Sequence, residues 1–308
     1  METLPLDPGM LAFYHELSAR TPPGSENWPL AKQRAEWDAL CKLFRAPRPP
    51  GVVAEDVLAN GVPVRLFRPA GDGPKPGVIY GHGGGWVLGS PETHDDMCAE
   101  MAAEADCVVA LMDYRLAPEH PFPAQLEDSL AVLAWMRKHR DIISTQIIAA
   151  GDSAGGQMSA ALALHLRDHG LPQVQGMVLV YPVLGSDMTT ASYIRSAQAP
   201  CLTSAEMKYY LDAFIGAASW TNPYAAPNLA SVTGLPPAFI TVAGHDPLHD
   251  DGVIFHGKLL AAGIASTLRD EPALAHSYMR ARHQCPPAME SFKAIIAALR
   301  GFAYGTAP

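Results

Sequence analysis

The chain has 308 residues, 48% of them hydrophobic, which is enough for one large domain with a sizeable core or, less readily, two. A formal net charge of -9 and the lack of any Lys/Arg-rich run argue against a nucleic-acid partner. There is no basic and apolar leader pattern at the N-terminus, no uncharged stretch of about 18 apolar residues, and no CxxC pair, so the sequence predicts a cytoplasmic protein with reduced thiols, no membrane span and no zinc site.

Residues 1–45 carry short helical patterns, with Trp37, Leu40 and Phe44 at helical spacing in Leu30–Phe44. The run Ala46-Pro47-Arg48-Pro49-Pro50-Gly51 breaks the chain, and residues 46–308 read as the main domain. Val52–Leu58 and Val62–Pro69 flank Asn60-Gly61 and predict a hairpin. Pro76–Gly81, Cys107–Asp113, Gln146–Ala150, Gly176–Tyr181, Ala238–Val242 and Ala265–Asp270 are short, apolar and rich in Val and Ile. Strands buried on both faces read this way. Helical patterns separate most of them. Ala124–Arg140 places Leu126, Leu130, Leu133 and Ala134 on one face, and Pro286–Arg300 does the same with Met289, Phe292, Ile296 and Leu299. The pattern predicts an α/β class with a mostly parallel sheet covered on both sides. Ligands in such sheets sit beyond the carboxyl ends of the strands. Residues 184–222 interrupt the alternation with one helical pattern, Ser204–Ile215, and read together with residues 1–45 as a cap over the site.

Gly151-Asp152-Ser153-Ala154-Gly155 follows a predicted strand and precedes the helical pattern Gly156–His169. That context is what a nucleophile elbow requires, and it makes Ser153 the candidate nucleophile. His82-Gly83-Gly84-Gly85-Trp86 follows an earlier strand, and its glycines let backbone N–H groups approach a ligand closely. Acyl transfer passes through an oxyanion, and each fixed donor to it contributes about 3–4 kcal/mol. Gly83, Gly84 and Ala154 are the expected donors, and His82 is expected to bond within its own loop. An elbow of this type takes its acid and then its base later in the chain. Asp246 comes first in the loop after Ala238–Val242, while Asp250 and Asp251 fall where a helix should start and read as its caps. His276 is nearer than His283 to the end of Ala265–Asp270 and is the better placed base. Such a triad needs no metal or organic cofactor.

Five segments occur in order: the loop from His82 to Ser90, the run Asp113-Tyr114-Arg115-Leu116-Ala117-Pro118-Glu119-His120-Pro121-Phe122-Pro123-Ala124, Gly151–Gly156, Leu235-Pro236-Pro237, and Gly244-His245-Asp246-Pro247-Leu248-His249-Asp250-Asp251. Together they resemble the hormone-sensitive-lipase-like (family IV) bacterial carboxylesterases of the α/β-hydrolase superfamily. The resemblance runs from about residue 50 to the C-terminus. It implies an eight-stranded α/β-hydrolase core with a helical cap and hydrolysis of short- to medium-chain acyl esters. Matched position by position, it implies Ser153, Asp246 and His276 as the triad, with Gly83, Gly84 and Ala154 as oxyanion donors. It also implies a structural role for Asp113 and Glu119, read here as buried charge pairing. The sequence departs from the family after His276, where Ser277-Tyr278 stands in place of the usual Gly-Phe.

Trp86, Leu202 and Phe214 are candidate apolar walls of the substrate pocket, with cap packing as the other reading of Leu202 and Phe214. The expected partner is a small-molecule ester, and a homo-oligomer is compatible with the sequence. The alternatives kept open are an amidase or peptidase using the same triad and a non-catalytic small-molecule receptor on this fold.

Overall fold

The computed structural model describes residues 4–22 and 24–306. Two helices open the chain, α1 (Pro8–Arg20) and α2 (Leu30–Leu43). The Asp7 carboxylate caps α1 by accepting from the Gly9 and Met10 amides. A hairpin of β1 (Val53–Ala59) and β2 (Val62–Arg68) follows. Its turn residues Asn60 and Gly61 have φ of 51° and 93°, as a tight two-residue turn requires. The remaining order is β3 (Lys75–Gly81), α3 (Asp95–Ala105), β4 (Val108–Met112), α4 (Ala124–Met136), β5 (Ile142–Asp152), α5 (Ala154–Asp168), β6 (Met177–Val180), α6 (Ala191–Arg195), α7 (Ser204–Ile215), β7 (Ala238–His245), α8 (His249–Ala261), β8 (Ser266–Ala275) and α9 (Pro286–Tyr304).

The strands form one eight-stranded sheet in the order β1-β2-β4-β3-β5-β6-β7-β8. β2 runs antiparallel to both of its neighbours, and every pairing from β4 across to β8 is parallel. Side chains of the central strands alternate between two cores. Val78, Tyr80, Val109, Leu111, Ile148 and Ala150 face one side, where α3 and α9 supply Met97, Met101, Phe292 and Leu299. Ile79, Val108, Ala110, Ile147 and Ala149 face the other, against Val132 and Leu133 of α4 and Met158 and Leu162 of α5. Period-two alternation between two buried faces explains why these strands read as unbroken apolar runs.

Several element ends differ from the sequence expectation. β5 begins at Ile142, where it pairs with Lys75 before a register shift. β8 continues past Asp270, through Pro272, to Ala275. A proline is tolerated there because β8 is the edge strand, with no further ladder to supply. As a result His276 directly follows the strand. α9 extends to Tyr304, where Gly305 takes φ 70° and ends it. α4 stops at Met136, short of Arg140.

Candidate active site

β5 runs into α5 through a tight turn at Ser153. Ser153 has φ 54° and ψ -115°, a strained conformation that lifts the side chain out of the turn. Its backbone is pinned on both sides: its N–H donates to the Val180 carbonyl at 2.9 Å, and its own carbonyl accepts from Val183 at 3.2 Å. The two glycines of the motif have a direct steric reason. A Cβ on Gly155 would lie 1.8 Å from the Gly81 carbonyl oxygen, and one on Gly151 would lie 2.5 Å from the Gly155 backbone. The start of α5 therefore presses on β3 with no room for a methyl group.

The loops after β7 and β8 bring the other two candidates to the serine. The His276 Nε2 lies 3.0 Å from Ser153 Oγ, and its Nδ1 lies 2.7 Å from Asp246 Oδ2. The second oxygen of Asp246 accepts from the Leu248 amide at 2.9 Å. All three side chains are buried. The His276 ring packs against Tyr181, which packs edge-on against Tyr278. The departure at Ser277-Tyr278 is thereby absorbed. Ser277 turns the chain at φ 62°, and the buried Tyr278 hydroxyl is bonded to Thr241 and Ser291.

The alternatives lie elsewhere. His283 is bonded to Glu100, and His245 to the Leu4 carbonyl. Asp250 and Asp251 sit in the first turn of α8, as expected, but they do not cap that helix. Asp250 accepts from the Ser192 amide and Asp251 from the amides of Leu184 and Gly185. Both therefore tie down the segment between β6 and β7. Burial pushes the Asp251 carboxyl up to about 7, against the pull of those two amides.

The glycine loop differs from expectation in one donor. The Gly83 N–H donates to Asp152 Oδ1 at 3.1 Å, so it is engaged within the protein. Asp152 also accepts from the Tyr80 hydroxyl at 2.9 Å and faces His94 Nε2 at 3.2 Å. Burial opposes ionisation of Asp152, but His94, Arg280 and Tyr80 outweigh it and hold the carboxyl below its ordinary range. The N–H groups of Gly84, Gly85 and Ala154 donate to no other group among the described residues. Gly84 and Gly85 take φ of 125° and 59°, which favours glycine at both. His82 bonds through Nδ1 to the Gly83 carbonyl and stacks on Tyr114 at 4.2 Å. Burial, aided by His94, pushes its imidazole down to about 3, so it is neutral.

Above Ser153 lies a cleft of about 890 Å³. α1, α2 and α7 contribute to its walls, including Tyr14, Trp37, Leu40, Met207 and Tyr210. Leu202 is among the lining residues. Trp86 and Phe214 are not. They stack on each other at 3.9 Å in the core, and the Trp86 indole donates to Gln157. Instead it is the Tyr210 ring that lies over the glycine loop: a Cβ on Gly85 would sit 2.3 Å from it. Nothing in the spacing of Ser204–Ile215 distinguishes Tyr210 from Phe214, since both are aromatic residues of one helix. Buried charge pairing in the Asp113–Glu119 segment is also corrected. Glu119 is exposed and pairs with Arg34 of α2, and Asp113 makes no ion pair among the described residues. The shielded carboxylate there is Asp128, held by Arg115.

Among the described residues, no group of three or more His, Cys, Asp or Glu could hold a metal ion, and no helix is long and apolar enough to cross a membrane. A family model described as the alpha/beta hydrolase fold matches residues 78–280. The carboxylesterase NlhH of Mycobacterium tuberculosis is 38% identical over 255 residues, covering 78% of each chain. An ester-hydrolase from the metagenome of Lake Arreo has a TM-score of 0.90 at 32% identity, covering 98% of this chain and 100% of that one. An esterase from the bacterial hormone-sensitive lipase family has a TM-score of 0.89 at 28% identity, covering 97% and 100%. With this fold, the strained serine at its elbow and these likenesses together, the chain belongs to the α/β hydrolases and, within them, to the hormone-sensitive-lipase-like esterases.

Proposed function

We propose that this chain is a carboxylesterase acting on short- to medium-chain acyl esters, with Ser153 as nucleophile, His276 as general base and acid, and Asp246 as the group that orients His276. The observation that carries this reading is the continuous line from Ser153 Oγ through the His276 ring to Asp246 at the floor of the cleft. His276 Nε2 takes the hydroxyl proton as Ser153 Oγ bonds to the ester carbonyl carbon. Asp246 holds Nδ1–H and stabilises the imidazolium. The oxyanion accepts from the unengaged N–H groups of Gly84, Gly85 and Ala154, with Gly83 holding the loop through Asp152. His276 returns its proton to the leaving alkoxide, and the acyl-enzyme remains. Water, deprotonated by the same nitrogen, then releases the acid and restores the serine.

Residues 1–45 and the segment around α6 and α7 act as the cap, since α1, α2 and α7 wall the cleft. The cleft volume of about 890 Å³ gives room for an acyl group and an alcohol together. The test compares wild type with Ser153→Ala on p-nitrophenyl acetate, butyrate, octanoate and palmitate. Turnover is expected on the shorter chains, with a loss of about a thousandfold or more in the variant. An inert wild type would sink the esterase reading.

A further inference from the structure

Two arginines line the cleft, and they differ in how their charge is met. Arg20 pairs with Glu16. Arg280, four places beyond His276, has no carboxylate within ion-pair distance among the described residues, although it is half-buried. Its NH1 donates to the Thr93 carbonyl at 2.6 Å, and its guanidinium lies over the Trp37 ring at 5.4 Å.

Its other close contact, NH2 to His94 Nε2 at 3.4 Å, does not satisfy it. That same nitrogen faces Asp152 Oδ2 at 3.2 Å. Asp152 is an acceptor only when ionised, so Nε2 must carry its hydrogen toward it. On its other side His94 Nδ1 lies 2.7 Å from the Thr93 hydroxyl, which also donates to the Ser90 carbonyl at 2.8 Å. A protonated Nε2 accepts nothing from Arg280. Of the five guanidinium hydrogens, one is taken up by a protein acceptor among the described residues. On the same wall the Trp37 indole nitrogen is shielded from water and has no acceptor.

A cation on the wall of an apolar cleft with hydrogen-bonding capacity to spare, beside a second donor without a partner, is suited to receive an anionic acceptor. Three carboxylates line the cleft. Glu206 is bonded to Thr203 in the cap of α7, Glu36 is exposed, and Asp152, whose charge Arg280 favours from a distance, spends its oxygens on Tyr80, Gly83 and His94 rather than on the guanidinium. We propose that Arg280 is a specificity residue that binds a carboxylate carried by the ester itself, so that the preferred substrate is an ester with a free acid group a few bonds from the scissile carbonyl. This rests on the esterase reading above. A guanidinium suits the task because it meets a carboxylate with paired, charge-assisted hydrogen bonds.

Two matched pairs test it on the full chain. One pair carries the acid on the acyl side: mono-p-nitrophenyl glutarate against its methyl ester. The other carries it on the alcohol side: 4-butyryloxybutyrate against its methyl ester. The readout is the ratio of kcat/KM, acid over methyl ester, so that a general loss of activity cancels. In wild type the ratio is expected to reach about tenfold or more in one pair, the scale of one charge-assisted hydrogen bond. Arg280→Met should bring it to about one, and Arg280→Lys, which keeps the charge but not the paired geometry, should keep only part of it. If wild type cleaves p-nitrophenyl butyrate but shows no preference for the acid in either pair, the inference is overturned while the esterase reading stands. Survival of the preference in Arg280→Met overturns it equally. Inertness toward every ester would remove the esterase reading first. Should the variants fail to fold, competitive inhibition of wild type by glutarate, weakening with added salt and absent with glutaramide, supports the inference. Equal inhibition by both, or none, overturns it.

Discussion

The Asp246 carboxylate divides its two oxygens between tasks, one on the Leu248 amide and one on His276 Nδ1. Replacing it with asparagine keeps the shape but not that division. If the amide oxygen stays on Leu248, the NH2 group points at His276 and demands an acceptor at Nδ1. The imidazole must then carry its hydrogen on Nε2, where it cannot take the Ser153 proton. Asp246→Asn is expected to lower kcat by about a thousandfold to ten-thousandfold. Thermal unfolding and KM should stay close to wild type, and steady-state kinetics beside a melting curve would check both. The same reasoning at single atoms explains what the sequence hid. Ser153, Asp246 and His276 were readable because each follows a strand in a required chain order. The engagement of Gly83 was not, because its acceptor is a side chain 69 positions away in the sequence.

At the level of elements, α8 does more than cover the sheet. Its first turn anchors the start of the segment that bears α6 and α7, through Asp251 on Leu184 and Gly185 and Asp250 on Ser192. The Asp251 carboxyl is pushed up to about 7 by burial. A folded value above the unfolded one means the folded chain holds this proton more tightly. Between about pH 4 and pH 7 the unfolded chain has lost the proton and the folded chain has not. Stability therefore falls as pH rises through that window and levels off above it. Asp251→Asn cannot ionise, and its urea midpoint should lack this part of the decline when both proteins are titrated from pH 4 to 8. An identical pH dependence in the two would remove Asp251 from the account. The central strands were legible as apolar runs because both faces of the sheet are buried there. Their ends were less so. The extension of β8 through Pro272 depends on its being the edge strand, which is a property of the sheet order. Two of the three expected apolar walls failed for a related reason, while Leu202 does line the cleft. Trp86 and Phe214 satisfy each other, and only packing reveals that Tyr210 is the ring over the glycine loop.

For the molecule as a whole, the opening helices are not a detachable lid. Met10 and Phe13 of α1 are fully buried in the same cluster as Leu274, Tyr278 and Cys285. The Asp7 amide donates to the Ala273 carbonyl of β8 at 2.8 Å. Burying two such side chains stabilises by about 1.5–3 kcal/mol each, a large share of the roughly 5–15 kcal/mol that a domain has in total. Deletion of residues 1–45 is expected to broaden or abolish the cooperative thermal transition and to expose a dye-binding apolar surface. Far-ultraviolet dichroism with dye fluorescence would show it, and a sharp transition near the wild-type temperature would refute it.

The contact of Tyr210 with Gly85 bears on how such proteins diversify. One residue surrenders its side chain so that another, on a helix far along the chain, can lie close against the backbone. The glycine loop and that helix are thus two halves of a single fitted joint. In swaps of parts between relatives, the loop and the helix must travel together, because a new helix without its matching hollow would either lift away or press on the glycine loop. Variation in what the cleft accepts is then inherited in blocks larger than a residue and smaller than a domain.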